Sequence, residues 1–350
     1  MKETNEQSIS FFEKYLSVWV VLCMAAGVLL GSYFPEVPRF LGRLTWAGVS
    51  LPVAVLLWFM IYPMMMKVDF QSLCRVGNHP GGLILTWIVN WLIKPFTMLA
   101  IGWLCFFILF QHLIPAELAQ EYLAGAVLLG AAPCTAMVFV WSCLSKGDIS
   151  YTVVQVAVND LTVLILFAPL TAFLLGIGGV MVPWDTLVIS VILFVVIPLA
   201  SGILTRQLAV QKKGKEWFQY KFLPRFQPAT TGGLLLTLVL IFSFQSKVIV
   251  DHPIHIIFIA VPLIIQTFFI FSLAYGAAWL FHLPYDIAAP AAMIGASNFF
   301  ELSVAVAISL FGAESPAALA TTVGVLVEVP VMLILVHIAE RTKNWFRQSM

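Results

Sequence analysis

Residues 123–144 read LAGAVLLGAAPCTAMVFVWSCL, an apolar run that is long enough to cross a membrane but is interrupted in its middle. The interruption is Gly130-Ala-Ala-Pro-Cys134, where proline removes a backbone hydrogen bond from the helix. A second apolar run, 288–312, carries Gly295-Ala-Ser-Asn-Phe299 at the corresponding place. The pattern predicts two helices that are broken near the membrane midplane, at these four residues: Gly130, Pro133, Gly295 and Asn298.

Paired breaks of this kind have a functional meaning in a membrane. Backbone groups freed by a break are tolerated inside a bilayer only if they are buried in protein or line a cavity. The ends of half-helices also supply polar ligands and partial charges. The two interruptions therefore predict the position of a transport site.

The composition of the whole chain agrees with a membrane protein. Of its 350 residues, 61% are hydrophobic and 10% are charged, with a mean hydropathy of +1.00, whereas a soluble domain carries about 25% charged residues. Lipid must therefore be the solvent for most of the chain. The net charge of +1 gives no indication of a nucleic-acid partner.

Apolar runs of spanning length recur along the chain and predict about ten transmembrane helices. They fall at 15–34, 48–67, 82–110, 123–144, 149–175, 184–205, 232–250, 254–281, 288–312 and 316–338. The N-terminus lacks a short apolar region followed by a small-residue cleavage site, so the first run is predicted to be a retained helix.

Basic residues are distributed unequally between the two sides of this ten-helix arrangement. The side without the termini holds Arg39, Arg43 and Lys247, and Lys94 falls within a span. By the positive-inside rule, both termini are predicted to be cytoplasmic in a multi-pass protein of the inner (cytoplasmic) cell membrane. The side with the termini holds the other fourteen: Lys2, Lys14, Lys67, Arg75, Lys146, Arg206, Lys212, Lys213, Lys215, Lys221, Arg225, Arg341, Lys343 and Arg347.

Ten helices divide into two sets of five, and five is odd, so the second set enters the membrane from the opposite side. If the sets are related, they form an inverted-topology repeat. Residues 1–205 then hold the first repeat, helices 1–5, and helix 6 as the start of the second. Residues 206–231 form a basic cytoplasmic loop, and 232–350 hold helices 7–10 and a cytoplasmic C-terminus.

Four ionisable residues fall within the predicted spans, where each is costly and marks a pathway, a proton relay or a buried pair. Glu301 follows the second break by one helical turn, which places a carboxylate at the mouth of a half-helix. Asp160 and Glu328 lie at roughly equivalent places in the two repeats and suit either proton coupling or the capping of stranded amides. For Lys94, pairing with a carboxylate or support of the kink at Pro95 is the preferred interpretation.

Cys134 is the cysteine that sits at a break. Helix-end donors stabilise a thiolate, which is the form that binds soft ions and metalloids. The scattered positions of Cys23, Cys74, Cys105 and Cys143 indicate neither a disulfide framework nor a zinc cluster. No phosphate-binding loop or nucleophile–base pair is visible, so the sequence predicts no enzyme, no cofactor and no need for an ATPase.

Four segments resemble the arsenical-resistance carriers of the bile-acid-symporter superfamily, and the similarity extends over nearly the whole chain. They are GAAPCTAMVFVWSCLSKGD (130–148), VQVAVNDL (154–161), NWLIKPF (90–96) and IGASNFFELSVAVAISLFG (294–312).

The resemblance implies an all-α arsenite efflux permease of ten helices in two inverted repeats, with discontinuous helices four and nine that cross. It also implies that Cys134 and Glu301 are the functional pair, and that As(III) is exchanged for protons. The predicted substrate site then consists of Cys134 as the thiolate ligand of As(III), with Glu301, Asn298 and Ser297. Proton coupling is assigned to Glu301, Asp160 and Glu328. The partners are arsenite, protons and lipid, with antimonite left open.

Two other functions remain as alternatives. A sodium-coupled organic-anion symporter of the same fold would hold Na⁺ through carbonyls, Asn159, Asn298 and carboxylates, and Cys134 at the break argues against it. A membrane receptor or enzyme subunit would have no transport cycle, and the paired helix breaks argue against that.

Overall fold

The computed structural model describes residues 16–46, 49–66, 80–135, 137–251 and 253–346. Several residues to which the sequence assigns a side of the membrane lie outside these described ranges, as do both chain termini. They are Lys2, Lys14, Lys67, Arg75 and Arg347, and the same holds for Cys74.

The described part of the chain is almost entirely helical. Its helices are α1 (Leu16–Tyr33), α2 (Glu36–Arg43), α3 (Leu51–Met65), α4 (Pro80–Leu109), α5 (Ala116–Gly130), α6 (Val138–Leu144), α7 (Ile149–Ile177), α8 (Trp184–Lys213), α9 (Lys215–Phe244), α10 (Ser246–Asp251), α11 (Ile254–Leu280), α12 (Tyr285–Ala296), α13 (Phe300–Phe311) and α14 (Pro316–Arg341). A short 3₁₀ turn, Lys343–Trp345, follows α14. The only strands in these ranges are β1 (Thr45–Trp46) and β2 (Val49–Ser50), which pair antiparallel.

Each predicted apolar run coincides with one helix or with two helices in succession. Six of the described helices are long and apolar enough to cross a membrane, and the number is seven if the bent pair α1–α2 counts as one span. The all-helical membrane fold is therefore confirmed at this level. α3 and α13 are apolar but shorter.

The largest difference from the sequence-based expectation concerns the basic segment 206–231. It is helical for most of its length, because α8 continues to Lys213 and α9 starts at Lys215. Gly214 turns the chain between them with φ of +85°, a conformation that favours glycine. Lys213 lies over the ring of Trp217, 4.6 Å from its centroid, which holds the two helix ends together.

Helix packing uses small residues, as is common in membranes. A Cβ atom added at Gly125 of α5 would lie 2.3 Å from the carbonyl oxygen of Ala317 in α14. At Gly31 of α1 it would lie 2.3 Å from the carbonyl oxygen of Ser243 in α9. These glycines allow two pairs of helices to approach at backbone distance, while large apolar side chains such as Ile165 and Leu109 face outward.

α4 is irregular in the middle of its length. Residues Val89–Ile93 form a π-helical turn, and Lys94 and Pro95 follow. Such turns carry an extra residue and frequently occur at functional sites. Here the irregular turn leads to Lys94, which is 1% exposed.

Candidate functional site

The two predicted interruptions are both breaks in helical structure. α5 ends at Gly130 and α6 begins at Val138, with Pro133 and Cys134 between them. α12 ends at Ala296 and α13 begins at Phe300. Gly295 is the penultimate residue of α12, and Asn298 lies in the break itself.

The two breaks are hydrogen-bonded to one another. The Cys134 N–H donates to the Ser297 carbonyl at 3.4 Å, and the Phe299 N–H donates to the Ala132 carbonyl at 3.1 Å. Pro133 and Asn298 face each other in an isolated antiparallel bridge. Peptide groups that lost their helical partners therefore satisfy one another. We call these residues, 131–135 and 297–299, the crossing.

Glu328 of α14 holds the second break from one side. Its carboxylate accepts hydrogen bonds from the Ser297 hydroxyl and, at 3.2 Å, from the Asn298 N–H. Pro330 lies two residues further along the same helix. A carboxylate that receives donors from a stranded backbone stabilises the break, so Glu328 is part of its structure.

Lys94 of α4 holds the same break from the other side. Its ammonium donates to the Ser297 carbonyl at 2.5 Å. It also interacts electrostatically with Glu328 and with Cys134. Ser297 is therefore bound through its carbonyl by a cation and through its hydroxyl by an anion, each from a different helix.

The thiol of Cys134 is buried, with 1% of the residue exposed. It packs in an apolar cluster that includes Val138 of α6, Ile294 of α12 and Leu83 of α4. An apolar environment disfavours a thiolate, and a nearby ammonium favours it. Lys94 is the charge that offsets the apolar surroundings of Cys134.

Glu301 lies in the first turn of α13, where a helix N-terminus favours negative charge. It is 1% exposed, and its Oε2 has no hydrogen-bond partner among the described residues. It also interacts electrostatically with Glu328. Within the crossing, Asn298 Oδ1 and Thr135 Oγ1 are also buried and have no described hydrogen-bond partner. The crossing therefore keeps polar atoms available for a ligand.

Asp160 is placed differently from the other predicted site residues. It is buried in α7, and no described hydrogen bond or charge interaction connects it to the crossing. Its neighbour Asn159 accepts long hydrogen bonds, 3.4–3.5 Å, from Asn90, Trp91 and Gln155. The structure therefore brings Cys134, Ser297, Asn298, Glu301 and Glu328 together, and leaves Asp160 beside a separate amide cluster.

Sequence reasoning underrated one residue of the site and missed two of the amide cluster. For Lys94 the sequence predicts pairing with a carboxylate or support of the kink at Pro95, and its contact with the Ser297 carbonyl is a further one. A lysine inside a span is itself the signal of a polar pathway. The sequence patterns assign no role to Asn90 or Gln155. The available signal was an uncharged amide inside each of two apolar runs.

Among the described residues, no group of three or more His, Cys, Asp or Glu side chains could hold a metal ion. No disulfide joins the described cysteines, which are Cys23, Cys105, Cys134 and Cys143. Cys134 is the cysteine that lies in the crossing.

The two ends of the broken helices differ in their contacts. The turn between α6 and α7 is fastened to α12 and α14: the Tyr285 hydroxyl donates to the Ser145 carbonyl at 2.8 Å, and Lys146 pairs with Glu340 at 2.9 Å. At the opposite end, a cavity of about 650 Å³ lies beside the turn between α13 and α14. Its lining includes Arg39, Arg43, Glu121 and Glu314.

Comparison with known proteins agrees with this architecture. The sequence profile described as the sodium bile acid symporter family matches residues 54–252. The arsenical-resistance protein Acr3 of Alkaliphilus metalliredigens is 60% identical over 340 residues, which cover 97% of this chain and 95% of that protein. An uncharacterised transporter of Synechocystis is 47% identical over 97% of this chain and 91% of its own length. The arsenical-resistance protein Acr3 of Corynebacterium glutamicum is 36% identical, with 94% and 89% covered.

Proposed function

The chain belongs to the sodium bile acid symporter family, a family of membrane transporters, and on that basis we propose that it exports arsenite, As(III), from the cytoplasm. Export of arsenite would give arsenical resistance. Two relatives named for arsenical resistance align with nearly the whole chain, which supports this substrate over an organic anion.

The observation that carries the proposal is the position of Cys134. This residue lies where the two breaks hydrogen-bond to each other, and it interacts electrostatically with the buried ammonium of Lys94. Glu301, whose Oε2 has no hydrogen-bond partner among the described residues, lies in the first turn of the half-helix that follows the second break. Arsenite at neutral pH is mostly As(OH)₃, a soft centre carrying three hydroxyls. A thiolate suits the arsenic, and the amide and hydroxyl groups of Asn298 and Ser297 suit its hydroxyls.

Capture at a single thiol is chemically reversible. The Cys134 thiol and As(OH)₃ form one S–As bond, and one As–O bond breaks to release water. The reverse reaction frees the substrate on the other side of the membrane. One thiol binds arsenic less firmly than several would, so release stays possible.

We further propose antiport with protons. An exchanger needs a site that alternates between a protonated state and a loaded state. Glu301 supports this role because its Oε2 is buried without a described partner, whereas both hydrogen bonds described for Glu328 tie it to the break. Asp160 is the third proposed proton site, although no described contact connects it with the crossing.

The proposed topology has ten membrane crossings in two inverted repeats, with both termini in the cytoplasm. The supporting features are two broken helices at corresponding positions and the antiparallel pairing of their breaks. The basic charges of the described segment 206–225 are consistent with a cytoplasmic location.

The test of the substrate proposal uses a strain that lacks its own arsenite efflux. A variant that keeps Cys134 as its only cysteine should restore arsenite resistance, and its Cys134→Ser derivative should not, because a hydroxyl is a hard donor that stays protonated at neutral pH. Resistance in the derivative at equal membrane abundance would rule out Cys134 as the ligand.

The test of coupling uses everted membrane vesicles. As(III) uptake should follow an imposed proton gradient and should not change when Na⁺ replaces choline at constant ionic strength. Uptake that requires Na⁺ and ignores the proton gradient would instead support the sodium-coupled symporter.

A further inference from the structure

The ammonium of Lys94 is buried without a salt bridge. Among the described residues, no carboxylate oxygen lies within the 4.0 Å of Nζ that would define an ion pair. A charge that is removed from water and has no ion-pair partner is strongly destabilising. An uncharged side chain of similar length would avoid this cost, so the charge itself must have a use.

The surroundings of Nζ share two features with the sites of inorganic cations, a released carbonyl oxygen and nearby groups that can carry negative charge. The one described hydrogen bond goes to the Ser297 carbonyl, which the break has released from helical bonding. Glu328 and Cys134 interact electrostatically with the ammonium, and the Glu328 carboxylate does so from beyond ion-pair distance. Released carbonyls at broken helices, together with nearby negative charge, are what bind monovalent cations in carriers.

The backbone of Lys94 is held firmly in place. The π-helical turn ends at Ile93, directly before Lys94, and Pro95 follows. The Gln266 side-chain N–H₂ donates to the Lys94 carbonyl and to the Thr97 hydroxyl, each at 3.0 Å. Because the backbone at Lys94 is fixed, the side chain starts from one position, and this limits the places that its ammonium can reach.

We propose that Lys94 is a tethered cation. Its ammonium occupies a monovalent-cation site formed by the Ser297 carbonyl and flanked by Glu328 and Cys134, so the carrier needs no inorganic cation to balance these groups. In the proposed As(III) carrier, on which this inference rests for its transport assay, the same charge supports the thiolate form of Cys134.

Two substitutions at Lys94 separate the charge from the packing. Lys94→Ala removes the charge and leaves space for a small cation, whereas Lys94→Met removes the charge and fills the space. Both variants should lose As(III) uptake in vesicles by about tenfold or more, as expected for a lost hydrogen bond to a charged group. Addition of Na⁺ in place of choline should restore uptake by Lys94→Ala and not by Lys94→Met.

A second measurement is independent of arsenite. The thermal unfolding midpoint of purified Lys94→Ala should rise with methylammonium or Na⁺ chloride relative to choline chloride at equal ionic strength, because a ligand that binds the folded state stabilises it. The native protein, Lys94→Met and the control Lys247→Ala, which removes an exposed lysine, should show no such difference.

These outcomes decide the proposal separately from the transport function. Full uptake by Lys94→Ala in choline would overturn it. So would the absence of any cation effect on the stability of Lys94→Ala, or an equal cation effect on Lys94→Met. If the native protein carries no As(III), the proposed substrate fails, and the unfolding measurement still tests the cation site.

Discussion

Glu301 and Glu328 are two buried carboxylates whose hydrogen bonding differs. Glu328 accepts from the Ser297 hydroxyl and the Asn298 N–H. Glu301 has an oxygen without a described partner, at the N-terminus of α13. The difference separates a carboxylate that maintains the break from one that is available for exchange.

Replacement of Glu301 by glutamine should therefore affect transport more than folding. The amide keeps the volume but cannot bind and release a proton, so As(III) uptake into everted vesicles should be lost or should stop responding to the proton gradient. Membrane abundance and the unfolding midpoint should stay close to those of the native protein. Proton-driven uptake at the native rate would move the coupling role to another carboxylate.

The opposite pattern is expected at Glu328. In Glu328→Ala, the Ser297 hydroxyl and the Asn298 N–H lose their acceptor in a buried place, which costs about 1–3 kcal/mol for each unsatisfied group. Glu328→Gln keeps an acceptor oxygen and should lose less stability. Unfolding of the purified variants in detergent measures the order, and equal stability of the alanine and glutamine variants would contradict it.

Close helix packing at the level of whole elements depends on single glycines. α5 leads into the break that contains Pro133, α14 carries Glu328, and the two helices touch where Gly125 faces the backbone of Ala317. Because the contact involves a backbone carbonyl, rotation of a side chain cannot relieve a clash there. The spacing of these two helices therefore helps to set the geometry of the site.

Gly125→Ala should separate α5 from α14 and destabilise the protein by about 1–3 kcal/mol, as overpacking does in other cores. Gly276→Ala is the matched control, because Gly276 lies within α11 and a Cβ there would meet nothing within 4 Å. Alanine at that position should be neutral or stabilising by up to about 1 kcal/mol. Comparison of the unfolding midpoints of the two variants tests the argument, and similar values would refute it.

On the scale of the whole molecule, the two ends of the pair of broken helices differ in their contacts. One end is fastened by hydrogen bonds and by the Lys146–Glu340 pair, and the other borders a cavity. The hydrogen bond that Lys146 donates to the Glu340 carboxylate raises the pKa of Lys146 above its ordinary value. A basic group whose pKa is raised by folding stabilises the folded protein at neutral pH, and this stabilisation is lost only as the pH rises through the raised pKa. The Lys146–Glu340 pair should therefore stay formed across a physiological proton gradient.

Topology can be tested with single cysteines introduced at exposed positions of a cysteine-free variant. Lys146→Cys, in the turn between α6 and α7, should react with an impermeant maleimide in everted vesicles and not in intact cells. Glu314→Cys, beside the cavity, should react in the opposite preparation. A reporter fused after Met350 should show cytoplasmic activity. Labelling of both cysteines from the same side would exclude the proposed arrangement.

The amino-acid sequence by itself determined the membrane class, the approximate limits of the helices and the positions of the two breaks. These features follow from local properties of the chain. Hydropathy over about 20 residues indicates a spanning helix. Proline cannot continue a helix, and glycine and asparagine continue one poorly. The same local reasoning singled out Cys134 and Glu301.

Only the tertiary structure decided which polar groups meet. Residues 94 and 328 come from α4 and α14, and residue 297 comes from the break between α12 and α13. Nothing in one sequence predicts that Lys94 binds the Ser297 carbonyl while Glu328 binds its hydroxyl. The length of α9 likewise depended on the turn at Gly214. Local composition governs whether a segment forms a helix, but the partner of a buried charge depends on how helices pack, and packing is a property of the whole chain.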